Sequence, residues 1–163
     1  MVDIPTRGPR VRRAVPAFAP ADTAESDRRR CFRIDVGAGP SVTDLPAANE
    51  QPDLRGRRVA AGEQLTVDVF PVAAESREGM PDDRYAATAV AVDLVFDDGT
   101  TLSGAGARDQ YGDAVDPGAQ ARSKRLWVDQ WNRRTVDLSP VVGRRIAGVR
   151  VVVGPGRGGR IVF

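Results

Sequence analysis

The chain has 163 residues, the length of one ordinary domain, with 24 Lys and Arg residues against 22 Asp and Glu residues. Its 17 glycines and 12 prolines interrupt long helices and favour short strands joined by turns, which excludes a helical bundle. Histidine is absent, so a Ser-His-Asp triad, a zinc site with histidine ligands and an HExxH metalloprotease are excluded as well.

The positive charge is concentrated at the start of the chain. Residues 1–30 contain seven arginines and four acidic residues, a net charge of +3, whereas the whole chain has a net charge of +2. Because this segment is rich in Arg, Pro and Ala without periodicity, we expect it to be a disordered leader. The remaining residues, 31–163, are close to neutral, so we expect no nucleic-acid partner.

The sequence contains neither a membrane span nor an export signal of the usual kind. No stretch approaches the roughly 20 apolar residues that a spanning helix needs, and Pro16 and Pro20 interrupt the apolar run that follows Arg12 and Arg13. We therefore expect no membrane association, and a cytoplasmic location for the chain as it stands. The single cysteine, Cys31, cannot form an internal disulfide and is expected to be a small buried strand residue.

Alternation of apolar and polar residues predicts strands in the first half of the folded part. The predicted strands are Phe32–Val36, Leu65–Val69 ending at Pro71, and Ala86–Phe96, whose second face of small residues indicates a strand covered on both sides or packed against another sheet. The sequence Asp97-Asp98-Gly99-Thr100 predicts a hairpin with a return strand from Thr101, since Gly accepts the positive φ of a tight turn.

In the second half, residues 103–122 have no clear period and are predicted to be a long loop. Alternation continues at Lys124–Val128, and further strands are predicted over Trp131–Leu138, Ile146–Val153 and from Arg160 to Phe163. Seven or eight short strands separated by turn signals predict an all-β fold over residues 31–163, an antiparallel β-sandwich or jelly roll.

Acidic residues occur in pairs and in the group Asp109, Asp113 and Asp116. A glycosidase requires two carboxylates roughly 5–10 Å apart across a cleft, but turn aspartates usually accept hydrogen bonds from their own backbone. We therefore expect these acidic residues to stabilise turns. The alternative is that the chain hydrolyses glycosides through acids such as Asp97 and Asp109. No cofactor is expected, although the Asp109 group has the oxygen ligands that a structural Ca²⁺ would use.

The two tryptophans stand in the segment WVDQWN, at Trp127 and Trp131, and the loop RDQYG precedes them. Indole rings stack on sugar rings, and Asn, Asp and Gln form directional hydrogen bonds, so these two segments indicate a carbohydrate surface. The alternative is that one or both tryptophans lie in the core of the sandwich. The candidate ligand-binding residues are Arg108, Asp109, Gln110, Tyr111, Trp131 and Asn132.

Three motifs in order carry a resemblance: DDGT at Asp97–Thr100, AxDQxG at Ala107–Gly112 and VDQWN at Val128–Asn132. With them, the segment from Arg57 to Phe163 resembles an accessory β-sandwich, galactose-binding-domain-like, near the N-terminus of secreted bacterial glycosidases of glycoside hydrolase family 92, the α-mannosidases.

The resemblance implies a non-catalytic module that binds glycans or packs on a glycosidase catalytic domain of the same chain. In that family the calcium-dependent cleavage of α-mannosides takes place in a larger downstream region with an α/α toroid, so no catalytic residue is assigned in this sequence. We expect the sequence to be a piece of such a protein, truncated at its C-terminal strand and lacking the signal peptide and the catalytic domain. A purely structural interaction module is the remaining alternative.

Overall fold

The computed structural model describes residues 10–13, 32–36, 40–45, 54–72, 87–154 and 159–162; for 10–13, 32–36 and 159–162 it describes the backbone alone. Strands are the main regular secondary structure of these residues, which confirms the all-β prediction. The strands in chain order are β1 (Arg10–Arg13), β2 (Phe32–Val36), β3 (Ser41–Asp44), β4 (Gln64–Val72), β5 (Val90–Phe96), β6 (Asn132–Asp137), β7 (Ile146–Val153) and β8 (Gly159–Val162). One short helix, α1 (Pro117–Ser123), lies between β5 and β6.

The strands form two sheets in which all neighbours run antiparallel. The larger sheet has the order β1-β2-β8-β4-β6, and the smaller has the order β3-β7-β5. Strand β8 pairs with β2 on one side and with residues 70–72 of β4 on the other, so residues distant in sequence close the larger sheet. Strand β7 is central in the smaller sheet, as its β-branched sequence favours.

A single hydrophobic cluster draws side chains from both sheets. Val69 and Val136 come from β4 and β6, whereas Leu94 and Val151 come from β5 and β7. Strand β5 is buried on both faces, as its small residues predicted. On the face opposite Leu94, the buried carboxylate of Asp93 accepts hydrogen bonds from Ser103 and from the guanidinium of Arg150 opposite it on β7.

The predicted hairpin after β5 is confirmed. The N–H of Gly99 donates to the carbonyl of Phe96 at 3.0 Å, the N–H of Phe96 donates to the carbonyl of Thr100 at 2.9 Å, and Gly99 has a φ of +78°. The return strand is shorter than predicted, because only Thr101 forms a bridge to Val95 before the chain turns away.

Three sequence predictions are wrong in their local detail. Pro71 lies inside β4 rather than ending it, since β8 continues the ladder to Val72. The predicted loop 103–122 contains most of α1, which begins at Pro117 after Asp116 accepts a hydrogen bond from the N–H of Ala119. Residues 124–131 form no strand, and Lys124 ends α1 with a φ of +53°.

Parts of the predicted leader lie outside the described residues. Strand β1 falls within residues 1–30 and pairs with β2, whereas the rest of that segment and Cys31 are not described. The disordered leader therefore stays a prediction for most of its length. Among the described residues, the single α-helix is far too short to cross a membrane.

Candidate functional site

The RDQYG loop is a tight hairpin on the edge of the larger sheet. Arg108 forms a bridge to Ala114, the N–H of Asp109 donates to the carbonyl of Asp113 at 2.9 Å, and Gly112 takes a φ of +82° between them. A second bridge joins Asp109 to Val136 of β6. The loop is thereby held against the strand that begins at Asn132, so the structure brings the two predicted segments to the same edge.

Asp109 is buried and holds the loop together. Its Oδ1 accepts hydrogen bonds from the N–H groups of Tyr111 and Asp113 at 2.9 and 3.0 Å, and its Oδ2 accepts one from Nε2 of Gln120 at 3.3 Å. The guanidinium Nε of Arg134 lies 3.7 Å from the same Oδ2. The Asp109 carboxylate is thus surrounded by hydrogen-bond donors of the protein, and its role is to hold the loop.

Gln110 and Arg108 also make contacts with the protein backbone. The side-chain amide of Gln110 accepts from the N–H of Thr135 at 2.7 Å and donates to the carbonyl of Arg133 at 3.0 Å, so it bonds to the edge of β6. Nη1 of Arg108 donates to the carbonyl of Gly112 at 2.7 Å, although this side chain stays exposed.

Asn132 is buried and holds the WVDQW turn. Its Oδ1 accepts from the N–H of Trp127 at 2.9 Å, while its Nδ2 donates to the carbonyls of Trp127 and Gln130, both at 2.8 Å. A weaker contact joins Nδ2 to the carbonyl of Val69 at 3.4 Å. One side chain thus fixes both polar backbone groups of Trp127, in a turn where Asp129 has a φ of +58°.

The two tryptophans have different environments. Trp131 is half-buried and packs edge-to-face on Phe70, with ring centroids 5.4 Å apart. Trp127 is 57% exposed on the turn that Asn132 holds. Residues 128–130 form a turn between the two tryptophans, so they do not share one face of a strand.

Tyr111, in the RDQYG loop, is a second exposed aromatic residue. Its side chain is 50% exposed, and the guanidinium carbons of Arg125 and Arg134 lie 4.9 and 5.0 Å from its ring centroid. Cation–π attraction at such distances restricts the ring. Burial lowers the pKa of the Arg134 guanidinium, and the neighbouring Asp109 carboxylate opposes that effect.

Arg125 lies over Tyr111 and stands two residues before Trp127. Arg125 and Trp127 are exposed whereas Leu126 between them is 2% exposed. Exposed and buried side chains thus alternate here, and the side chains of Arg125 and Trp127 both face solvent. The Arg125 guanidinium also lies over Tyr111. We name Tyr111, Arg125 and Trp127 the aromatic surface. Of these three, the predicted candidates included only Tyr111.

Each residue of the acidic group contacts the protein. Asp113 forms an ion pair with Arg125 at 3.3 Å, and Asp116 caps α1. Within the ranges that the structure describes, no cluster of three or more metal-ligating side chains is found. Asp97 lies 4.0 Å from Arg145 in the hairpin region.

No protein-family model matches the sequence, and no curated protein is similar enough to it to give a match.

Proposed function

We propose that this chain is a non-catalytic accessory module that binds carbohydrate through the aromatic surface, in a protein of the family 92 α-mannosidase type. The observation that carries the proposal is the exposed indole of Trp127 on a turn whose backbone Asn132 holds at both the N–H and the carbonyl. A turn whose backbone is held in this way lowers the cost of ordering Trp127 when a sugar binds.

The chemistry of the surface supports a sugar as the ligand. Sugar rings combine apolar C–H faces with hydroxyls, and the surface combines two exposed rings, Tyr111 and Trp127, with the guanidinium of Arg125. Aromatic residues with a polar edge suit such amphipathic ligands. In this proposal Asp109, Gln110 and Asn132 support the surface, because their side chains bond to the backbone around it.

We also propose a specific all-β architecture for the chain. Two antiparallel sheets that share one hydrophobic cluster support a β-sandwich of the jelly-roll type. In the whole protein, the partners of such a module would be a glycan and a glycosidase catalytic domain.

The proposal is tested by following Trp127 during a titration with mannose oligosaccharides. A Trp131→Phe variant keeps an aromatic ring beside Phe70 and leaves Trp127 as the single tryptophan, so any change in emission reports on the exposed turn. We expect a saturable change at ligand concentrations up to about 10 mM, which corresponds to the weak end of specific binding.

A matched pair of variants assigns the change to the surface. By calorimetry, Trp127→Ala should lose most of the affinity, whereas Val142→Ala, which truncates another exposed apolar side chain outside the surface, should retain it. Absence of any binding by the wild-type chain, or equal affinity of the two variants, would overturn the proposal.

A further inference from the structure

The ion pair of Asp113 and Arg125 places a hydrogen-bond acceptor beside a donor at the aromatic surface. Nε of Arg125 lies 3.3 Å from Oδ2 of Asp113, and the two side chains are 49% and 21% exposed. Within the described residues the guanidinium of Arg125 donates no hydrogen bond, so its two Nη groups remain available for a ligand. Oδ2 of Asp113 is buried and has no hydrogen-bond partner, so a ligand can reach this carboxylate only at Oδ1. Carboxylate and guanidinium therefore stand side by side next to Tyr111.

The charges around this surface balance. Residues 108–129 contain four basic and four acidic side chains. The additional cation, Arg134, is only 9% exposed and lies beside the buried carboxylate of Asp109. A ligand carboxylate would thus gain little from the net charge, and at Arg125 it would meet the carboxylate of Asp113 at short range.

Two neighbouring hydroxyls match this pair better than a carboxylate does. Each hydroxyl both donates and accepts a hydrogen bond, whereas an ionised carboxylate only accepts. One hydroxyl of a vicinal pair can donate to Oδ1 of Asp113 while its neighbour accepts from an Nη group of Arg125, and both bonds are charge-assisted. The apolar face of the same sugar can then lie on the exposed rings.

We infer that the aromatic surface selects neutral sugars, binding a vicinal pair of hydroxyls through Asp113 and Arg125 and discriminating against uronic acids. This inference rests on the proposed function and adds the class of sugar and the residues that choose it. Asp113 and Arg125 are the specificity-determining residues in this assignment.

The test compares two trisaccharides of the same linkage, one of mannose and one of mannuronate, which differ in having a hydroxymethyl or a carboxylate group on each ring. Calorimetry should give an affinity for the neutral trisaccharide about tenfold higher or more, and that affinity should change little with added salt, because no net charge is neutralised on binding.

Variants of the pair complete the test. Arg125→Gln and Asp113→Asn should each weaken neutral binding about fivefold or more, the loss of one charge-assisted hydrogen bond. Arg145→Gln is the matched control, since Arg145 is 48% exposed and has a similar carboxylate contact, with Asp97. Thermal melting of each variant verifies that it is folded. Of the two trisaccharides that each lack one hydroxyl of the pair, the one without the hydroxyl that accepts from Arg125 should bind the wild type and Arg125→Gln equally weakly.

The outcomes separate the two proposals. If the mannuronate trisaccharide binds as tightly as the neutral one, or if folded Arg125→Gln and Asp113→Asn bind like Arg145→Gln, the inference is overturned while carbohydrate binding stands. If neither trisaccharide binds the wild type, both the inference and the proposed function fail.

Discussion

Replacing Asn132 by alanine should destabilise the protein and release the Trp127 turn. The substitution removes three hydrogen bonds of 2.8 to 2.9 Å, one from the N–H of Trp127 and two to the carbonyls of Trp127 and Gln130. At about 1 kcal/mol for each bond, the free energy of unfolding should fall by about 3 kcal/mol. For a domain of this size that loss corresponds to a decrease in Tm of roughly 6–12 °C.

Urea unfolding is the appropriate assay, because the midpoint reports stability while an unchanged slope shows that the same surface is exposed on unfolding. Gln130→Ala serves as the control, since it truncates an exposed amide two residues away and should change stability by no more than about 0.5 kcal/mol. Asn132→Asp keeps the acceptor for Trp127 but loses both strong donor bonds, so its stability should also fall well below that of the control.

This role of Asn132 is refuted if Asn132→Ala unfolds at the same urea concentration as Gln130→Ala. In that case the buried amide would contribute nothing to the turn, and the exposed position of Trp127 would need a different physical cause. If instead Asn132→Ala is destabilised as expected, its affinity for mannose oligosaccharides should decrease together with that of Trp127→Ala.

Two further predictions concern the helix and the hairpin. Asp116→Ala should lower stability by about 1 kcal/mol through loss of the cap on the N–H of Ala119, whereas Asp116→Asn should retain most of it; equal urea midpoints for the two variants would contradict the cap. Hydrogen bonds from the hydroxyl and the N–H of Thr100 hold the pKa of Asp98 below its ordinary value of 3.8, so this contribution to stability is present above that value and is lost as the pH falls through the lowered pKa. Thr100→Val should raise the pKa of Asp98 in an NMR titration, and an unchanged pKa would show that the hydroxyl has no effect.

Local patterns in the sequence were sufficient for most of the strands. The period of two in residues 90–96 predicted β5, because side chains on a strand alternate between its faces. The β-branched run at residues 146–153, bounded by turn residues, predicted β7. Gly99 marked the hairpin since few other residues take a positive φ. Helix α1 was missed because its seven residues are too few for a helical period, although Asp116 before Pro117 was an available signal.

In the candidate site, the alternation of apolar and polar residues did not show which polar side chains face solvent. Asn132 and Gln110 look like ligand-binding residues in the sequence, because an amide in a polar segment has the same pattern whether it faces solvent or bonds to backbone. The structure assigns both to backbone contacts and leaves Trp127 exposed beside Arg125. Arg125 was overlooked because its partner Tyr111 is fourteen residues earlier and meets it only after the loop folds onto β6.

The sequence by itself determined an all-β chain rich in glycine and proline, without histidine and close to neutral after its basic start. These properties depend on composition and on neighbours along the chain. Tertiary structure alone decided that β8 closes the larger sheet between β2 and β4, which of the two tryptophans is exposed, and which cations stand beside Tyr111. Those outcomes depend on contacts between residues far apart in sequence, where burial and hydrogen-bond partners are fixed only when the sheets assemble.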